Sequence, residues 1–238
     1  MRLLVDQGNS RLKIASFVHN KLSDIEASDL KSLTAYLTKN FIEEVHISSV
    51  QDEKKLSKLV AKLNDFEIPF SIATTKYEQN GLTNSYSDHT KMGVDRWLAM
   101  LAVWHETQAG FVLVDAGSAL TFDWVSASGE HQGGHIIPGL GLMHEALHSG
   151  TDRVHFDTEK LATAYSLGTE TTLAVVNGCL TTLVAYVEQQ YVKIDEQRQL
   201  PMFLTGGDAD LLEKYLSFSV NRRNDLVIRG LLHYFDLV

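Results

Sequence analysis

The stretch Val5-Asp6-Gln7-Gly8-Asn9-Ser10 and the later stretch Val114-Asp115-Ala116-Gly117-Ser118-Ala119 are two versions of one pattern. Each begins with an apolar run that is typical of a buried strand, and an aspartate closes that run. A small residue or a glycine, a hydroxyl side chain and a second strand-like run come next. Such a hairpin tip presents a carboxylate, an approachable backbone and a hydroxyl, which together suit a nucleotide phosphate and its cation. Two such tips facing each other across a cleft would form a phosphoryl-transfer site.

Length and composition are those of an ordinary globular protein. The chain has 238 residues, 44% of them hydrophobic and 21% charged, which suffices for one large domain or two small ones. Its net charge of −9 argues against a surface that coats nucleic acid. We see no signal sequence and no apolar stretch near the roughly 20 residues of a membrane span, so we expect no membrane partner. The single cysteine, Cys179, excludes an internal disulfide and fits a reducing, cytoplasmic location.

The order of predicted elements indicates an α/β fold of two related halves with mixed sheets flanked by helices. Strands open the chain at Arg2–Asp6, helices and strands then alternate, and the pattern restarts at the strand Phe111–Asp115. We therefore expect domains at 1–109 and 110–238. The polar segment Thr75–Met92 is predicted to be a strand-poor loop, long enough to be functional. The predicted helices are Asp29–Asn40, Asp52–Asn64, Val94–His105, Leu140–His148, Thr169–Gln190, Asp208–Tyr215 and Asp225–Phe235.

The first hairpin tip has the side chains that a phosphate site needs. Gly8 permits a tight turn and lets an anion approach the backbone amides, while Asn9 and Ser10 supply neutral donors. Lys13 on the next strand adds a positive charge. Asp6 could hold a hydrated Mg²⁺ ion, which prefers few carboxylates together with water and phosphate. Taken alone the sequence fits a plain hairpin equally well, and the recurrence of the pattern is what favours a nucleotide site.

A third glycine element, Leu204-Thr205-Gly206-Gly207-Asp208, follows another strand-like run. Asp208 is a plausible N-cap of the next helix, and the paired glycines leave a flat surface on which an adenine could lie. By itself this pattern is typical of a generic strand-to-helix turn. It gains weight from the two hairpins.

Together these motifs resemble the superfamily of sugar kinases, Hsp70 and actin, and more narrowly the type III pantothenate kinases. The resemblance implies two ribonuclease H-like halves of actin-like architecture. The motifs that carry it follow one another over nearly the whole chain. They are Asp6–Ser10 with Lys13, Tyr86, Gly93–Trp97, Asp115–Thr121, Gly133–Gly139, Gly168 with Thr171, and Thr205–Asp208.

The resemblance also implies roles for individual residues. Asp115 would coordinate a monovalent cation, K⁺ or NH₄⁺, and Asp95 would be the general base that accepts the proton of the pantothenate hydroxyl. The product would be 4′-phosphopantothenate, the first intermediate on the way to coenzyme A, made by a homodimer with its substrate site near the subunit interface. The residues that would bind ATP are Asp6, Gln7, Gly8, Asn9, Ser10, Arg11, Leu12, Lys13 and Ser118. Those that would bind pantothenate are Tyr86, Gly93, Val94, Asp95, Arg96 and Thr171.

Elementary chemistry agrees with two of these roles. Pantothenate carries a carboxylate, which the planar guanidinium of Arg96 could clamp. Asp95, at the start of a helix, could accept the proton of the attacking hydroxyl, as aspartates do in other phosphoryl transfers. The pair on its own would also fit a helix start with an ion pair in its first turn.

Two alternatives remain open at this point. His144-Glu145-Ala146-Leu147-His148 matches the H-E-x-x-H spelling of zinc hydrolases, which places two imidazoles one helical turn apart. The extended form of that motif needs glycine and histidine where this chain has Thr151 and Val154. A zinc site would also leave both hairpins unexplained. The other alternative is a non-catalytic nucleotide-binding regulator of the same fold, which would not need Asp95 beside Arg96.

Overall fold

The computed structural model describes residues 1–9, 11–51, 53–151, 154–157, 162–195 and 199–238. Ser10, one of the predicted phosphate-binding residues, lies outside the described residues, as does Asp52, the predicted start of the second helix. The helices and strands are β1 (Arg2–Gln7), β2 (Leu12–Val18), β3 (Lys21–Leu22), β4 (Glu26–Ser28), α1 (Leu30–Lys39), β5 (Glu44–Ser49), α2 (Glu53–Asp65), β6 (Phe70–Ile72), β7 (Glu78–Gln79), β8 (Leu82–Thr83), α3 (Val94–Thr107), β9 (Phe111–Ala116), β10 (Ala119–Val125), β11 (His131–Pro138), α4 (Leu140–Gly150), α5 (Thr171–Ile194), β12 (Met202–Thr205), α6 (Ala209–Glu213), β13 (Asn221–Arg222) and α7 (Leu226–Tyr234). The predicted α/β fold with mixed sheets and flanking helices is confirmed.

The chain forms two compact units. Unit 1 comprises Met1–Ala109, Ser128–His131 and Asp225–Val238, and unit 2 comprises Gly110–Ala127 and Gln132–Asn224. These ranges differ from the expected 1–109 and 110–238 because the last helix, α7, packs against α3, β1 and β5 of unit 1. A repeat in sequence marks where the second unit begins, but it does not show where a terminal helix packs.

In unit 1 the sheet has the strand order β3-β2-β1-β5-β6, with β4 paired to β2. β1 is antiparallel to β2 and parallel to β5, so the sheet is mixed. Residues of β1 and β5 form one core with α1 and α2, in which Leu3, Ile47, Leu33 and Leu59 are fully buried. The apolar alternation of the strands and the one-sided apolar stripe of each helix account for this layering.

Helix α1 shows how local sequence sets a helix boundary. The side chain of Asp29, its N-cap, accepts a hydrogen bond from the backbone N–H of Ser32 at 2.6 Å. Such a cap satisfies a donor that a helix start would otherwise leave unpaired. Leu33 and Leu37, one turn apart, bury the apolar face. The predicted helix over Asp29–Asn40 therefore differs from α1 by its capping residues alone.

Helix α3 is the buried helix of unit 1. Almost every residue from Val94 to Trp104 is shielded from solvent, and α3 packs closely along α7. A helix that is apolar nearly all round must be covered on all sides. Because its first turn carries Asp95 and Arg96, the surrounding core fixes the position of both side chains.

The segment Thr75–Met92 is more ordered than predicted. β7 and β8 form a hairpin whose turn, Asn80-Gly81, has φ angles of 54° and 84°. Two consecutive positive φ angles define a type I′ turn, for which Asn-Gly is the preferred sequence. A 3₁₀ turn follows at His89–Lys91, capped by Asp88. The expectation of a strand-poor loop was therefore wrong at this hairpin, where each strand is too short to produce an alternating pattern.

In unit 2 the sheet has the strand order β11-β10-β9-β12-β13. β9 is antiparallel to β10 and parallel to β12, which is the arrangement that β1 has with β2 and β5 in unit 1. The core of unit 2 joins β9, β10 and β12 to the long helix α5, in which Leu180, Val184 and Val187 are buried. The two halves that the repeated motif predicts thus share one strand arrangement.

Helix α5 is long and apolar enough, by length and composition, to cross a membrane. This contradicts the expectation that no segment reaches that length. One such helix is weak evidence of a membrane span, because the core helix of a soluble protein passes the same test. The buried face of α5 packs on the sheet of unit 2, with Cys179 among its shielded residues.

Candidate active site

The first hairpin forms the tip that the sequence predicts. Asp6 stands opposite Lys13 in the antiparallel ladder, and the N–H of Gly8 donates to the carbonyl of Arg11 at 3.0 Å. The turn is braced from β5 and the residues after it. Ser49 Oγ donates to Gln7 Oε1 at 3.0 Å, and the side-chain amide of Gln51 donates to the Gly8 carbonyl. These contacts hold Gln7 and Gly8 in place.

Two further predicted ATP-binding residues lie on the same hairpin. The side chain of Leu12 packs into the core of unit 1, so it can face a nucleotide through its backbone alone. Arg11 is exposed at the tip. The first hairpin therefore offers backbone groups and the charge of Lys13, rather than apolar surface, to a ligand.

Asp6 is a buried carboxylate in an unusual electrostatic position. It is 6% exposed, and in the parallel ladder its neighbour on β5 is Ser48. Burial raises the pKa of Asp6 from its ordinary 3.8 to about 6, while the charge of Lys13 lowers this pKa and that of Asp95 raises it. Burial disfavours the charged form, and a second carboxylate nearby does the same. Asp6, Lys13 and Asp95 therefore belong to one group of interacting charges in unit 1.

Asp95 lies in the first turn of α3. Its Oδ1 accepts the backbone N–H of Arg96 at 2.8 Å, so the carboxylate folds back over the helix start. The helix N-cap is Gly93, and a β-carbon at this position would come within 2.6 Å of Asp95 Oδ1. A side chain there would push the carboxylate away, so the glycine leaves the space that Asp95 occupies. The positive end of the helix dipole favours a carboxylate in this turn.

Arg96 and Tyr86 form a second group beside Asp95. Arg96 is 6% exposed, and its Nη1 donates to the Tyr86 hydroxyl at 2.8 Å. The guanidinium carbon lies 5.7 Å from the centre of the Tyr86 ring. A buried guanidinium needs its donors satisfied, and Tyr86 satisfies one of them. The structure thus brings together two predicted pantothenate-binding residues that are ten positions apart.

Sequence reasoning missed the residues that hold Tyr86. Asn84 is buried, and its Oδ1 accepts the backbone N–H of Tyr86 at 2.9 Å. His131 is also buried and contacts Ser85 and Tyr86. The polar pair before Tyr86 was visible in the sequence, whereas the approach of His131 depends on a long-range contact that no local pattern announces.

The second hairpin repeats the antiparallel pairing of the first, with a tip that is one residue shorter. Asp115 stands opposite Thr121 on β10 and opposite Thr205 on the parallel strand β12. The tip carries Ser118, whose carbonyl accepts the N–H of Gly139 at 3.1 Å. Two threonine neighbours surround Asp115, in place of the lysine and serine beside Asp6.

The glycine turn after β12 packs directly on the second hairpin. Gly206 has a φ of +101°, and a β-carbon there would lie 2.3 Å from the carbonyl carbon of Ala116. Both the conformation and the contact require glycine. The N–H of Asp208 donates to the Ala116 carbonyl at 2.9 Å. Unit 2 therefore brings the second hairpin and the predicted adenosine turn into contact.

Thr171, the last predicted pantothenate residue, is the first residue of α5. It lies on the rim of an open, mostly apolar cavity of about 710 Å³ between α4 and α5, which Leu147, Val175 and Cys179 also line. Its side chain is exposed. Val94, by contrast, is 8% exposed, so its backbone is the part that can meet a substrate.

The zinc-hydrolase alternative finds little support. His144, Glu145 and His148 lie on α4 and line a pocket of about 520 Å³ with Phe156, and burial lowers the pKa of His144. Among the described residues, no group of three or more His, Cys, Asp or Glu side chains could hold a metal ion. A catalytic zinc needs three protein ligands, and that part of the chain does not assemble them.

The fold and the paired hairpins define a protein of the actin-like class to which sugar kinases and Hsp70 belong. Solved structures agree on the fold. The "conserved putative Baf family transcriptional activator" of Campylobacter jejuni superposes with a TM-score of 0.65 at 21% identity, over 99% of this chain and 98% of its own. The Clostridium difficile activator of 2-hydroxyisocaproyl-CoA dehydratase, solved with ADPNP, gives 0.53 at 11% identity, over 99% and 94%.

Sequence comparison then identifies the family. The family model for type III pantothenate kinase matches residues 2–193. Type III pantothenate kinase of Pseudomonas aeruginosa strain LESB58 is 33% identical over 243 residues, 97% of either chain. The Marinobacter nauticus enzyme of that name is 34% identical over 238 residues, 97% of this chain and 96% of its own. This chain belongs to the type III pantothenate kinase family, and the resemblance noted in its sequence is confirmed.

Proposed function

We propose that this chain transfers the γ-phosphoryl group of ATP to the primary hydroxyl of pantothenate. The products are ADP and 4′-phosphopantothenate, and the reaction is the first step of coenzyme A biosynthesis. Family membership supports this reaction. The observation that carries the proposal is the first turn of α3, where Asp95 stands beside an Arg96 that is hydrogen-bonded to Tyr86.

Asp95 serves as the general base. The hydroxyl oxygen of pantothenate attacks the γ-phosphorus while its proton moves to the Asp95 carboxylate. The bond from the γ-phosphorus to the bridging oxygen breaks, and ADP leaves. The backbone N–H of Arg96 donates to Asp95 Oδ1, which orients the carboxylate at the start of α3. Alignment and charge neutralisation contribute most of the rate enhancement in such reactions.

The first hairpin binds the phosphates of ATP through its backbone amides and Lys13. Asp6 would hold Mg²⁺ as the carboxylate of this tip, and a bound cation would lower the pKa of about 6 that burial chiefly gives it. Mg²⁺, when bound, neutralises charge on the transferring phosphoryl group. Ser118 supplies a second phosphate contact.

Asp115 coordinates a monovalent cation, K⁺ or NH₄⁺. Its neighbours in the ladders of the sheet are Thr121 and Thr205, whose side chains are neutral hydroxyls. A single carboxylate beside neutral hydroxyls suits a cation with one positive charge. The cation adds positive charge near the second phosphate contact.

Arg96 pairs with the carboxylate of pantothenate, and Tyr86 orients the guanidinium. Gly93 and Val94 contribute backbone groups to the same pocket, and Thr171 adds a hydroxyl. We place the enzyme in the cytoplasm as a homodimer, with neither nucleic acid nor membrane as a partner.

The decisive experiment is a coupled assay of ADP release with ATP, Mg²⁺ and K⁺. Pantothenate is compared with a panel of small hydroxylated compounds that includes sugars and pantetheine. We expect turnover with pantothenate that depends on its primary hydroxyl. Turnover with a sugar and none with pantothenate would reject the reaction and leave the superfamily assignment. ATP binding without turnover of any acceptor would favour the non-catalytic regulator.

A further inference from the structure

His131 is a buried histidine with no role in the reaction described above. It is 2% exposed and begins β11. The backbone brings His131 beside Ser85 and Tyr86. Thr83 N–H donates to the Gly129 carbonyl at 2.9 Å, and Thr83 pairs with Glu130 in a parallel bridge. This pairing sets the start of β11 alongside the residues that follow Thr83.

The His131 side chain contacts two consecutive residues, Ser85 and Tyr86. Its Nδ1 and the Ser85 Oγ share a hydrogen bond at 3.0 Å. Its ring lies against the Tyr86 ring, with the centroids 6.2 Å apart and the planes 29° from parallel. Offset aromatic pairs at this separation are favourable. A buried imidazole that both bonds and stacks restricts the rotation of Tyr86.

Tyr86 is held on two further sides. Its backbone N–H donates to Asn84 Oδ1 at 2.9 Å, and its hydroxyl accepts from Arg96 Nη1 at 2.8 Å. The ring is therefore fixed by its backbone, by one face and by its hydroxyl. The contact with His131 is the one made to the face of the ring, where it limits the directions in which the hydroxyl can meet the guanidinium.

We propose that His131 is a positioning residue for pantothenate. Through the bond to Ser85 and the stack on Tyr86 it fixes the guanidinium of Arg96 in the orientation that receives the substrate carboxylate. His131 itself does not touch substrate. The inference rests on the proposed function, and it assigns a selective effect to His131, on pantothenate binding and not on ATP binding.

Four substitutions test the two contacts. His131→Asn keeps a hydrogen-bonding group near the position of Nδ1 and removes the ring. His131→Phe keeps the ring and removes the hydrogen bond, as does Ser85→Ala from the other side. His131→Ala removes both contacts.

The measurement is steady-state kinetics with pantothenate and ATP varied in turn, together with the melting temperature. We expect His131→Asn and His131→Phe each to raise the KM for pantothenate about 5-fold, the typical value of one hydrogen bond or one aromatic pair. His131→Ala should raise it more. The KM for ATP should stay within about twofold of the original. A rise in the KM for pantothenate alone indicates weaker binding of pantothenate, whereas a general defect would raise both KM values.

Two comparisons guard against a general loss of structure. His105→Phe makes the same chemical change in another ring stack of unit 1, where His105 lies 3.8 Å from His233 between centroids, and it should leave the KM for pantothenate unchanged. The double variant Ser85→Ala, His131→Phe should behave like either single variant, because both substitutions remove the same hydrogen bond.

The outcomes are distinct. A wild-type enzyme that does not phosphorylate pantothenate would refute the proposed function and this inference with it. An active wild type whose His131 variants keep the original KM for pantothenate, or raise both KM values equally, would refute this inference alone. If His131→Ala does not fold, the Asn and Phe variants decide.

Discussion

Asp6 is a site where function and stability should conflict. Its carboxylate is 6% exposed, and its pKa is raised to about 6 from 3.8, chiefly by burial. At neutral pH the folded protein must therefore hold an ionised group that its surroundings disfavour. Asp6→Asn removes this charge, and we expect it to abolish phosphoryl transfer while stabilising the fold.

The magnitude follows from the shift in pKa. A shift of about two units corresponds to about 3 kcal/mol at most, and for a chain of this size each kcal/mol moves the melting temperature by about 2–4 °C. The value is an upper bound, because the amide of Asn must itself find hydrogen-bond partners when buried. The pKa shift of Asp6 is a net effect in which the opposing charge of Lys13 is already included, so the free energy derived from it includes that charge too.

The sign of the pH dependence is fixed by the direction of the shift. Between the ordinary pKa of 3.8 and about 6, the folded protein binds a proton at Asp6 that the unfolded chain has released. The contribution of this group to stability therefore falls as pH rises through that window. The advantage of Asp6→Asn should be full above about pH 7 and should vanish below about pH 4.

The assay is thermal unfolding of both proteins at pH 4 and pH 8, in EDTA so that no metal ion stabilises the wild type alone. Asp29→Asn is the matched control. The pKa of Asp29 is lowered by its hydrogen bonds with Ser32, so the same substitution there should not stabilise the protein at pH 8. An Asp6→Asn protein that melts at or below the wild-type temperature at pH 8 would refute the reasoning. So would a difference that is equal at both pH values.

Three further predictions concern the reaction. Asp95→Asn should lower kcat by about 10²–10⁴ with folding retained, whereas Asp65→Asn, which alters an exposed ion pair on α2, should not. A near-normal kcat for Asp95→Asn would remove Asp95 as the base. Asp115→Asn should abolish or strongly shift activation by K⁺, measured by titration with KCl at constant ionic strength, and unchanged activation would reject the cation site. Tyr86→Phe removes the acceptor of Arg96 and should raise the KM for pantothenate about 5-fold with ATP binding intact, and an equal rise for ATP would contradict the assigned contact.

The parts of the fold that the sequence predicted are those with local signals. The two strands ending in Asp6 and Asp115 could be found because an apolar run, an acid and a glycine turn lie within a few residues. The capped start of α1 was visible for the same reason, since Asp29 precedes a helical stripe of leucines. The hairpin β7–β8 was missed although Asn80-Gly81 is a strong turn signal. Its strands have two residues each, which is too short to show an alternation of apolar and polar residues.

The contacts that organise the candidate site are mostly long-range, and these the sequence could not supply. His131 meets Ser85 across 46 positions, and this contact depends on the pairing of Glu130, just before β11, with Thr83, the last residue of β8. The packing of α7 on α3 is also a long-range contact, and no local sequence pattern predicts where a terminal helix packs. Pattern reasoning named candidate residues for the chemistry, whereas it could not find the residues that hold Tyr86 in place.

The two copies of the repeat place different side chains beside their aspartates. Residues opposite each other in neighbouring strands direct their side chains to the same face, so Asp6 shares its face with Lys13 and Asp115 shares its face with Thr121 and Thr205. The first tip thus has a built-in positive charge beside its carboxylate. The second has threonines at the corresponding positions of its ladders. One strand arrangement, with a lysine in one copy and threonines in the other, therefore gives the two aspartates different surroundings, so Asp6→Asn and Asp115→Asn test separate roles.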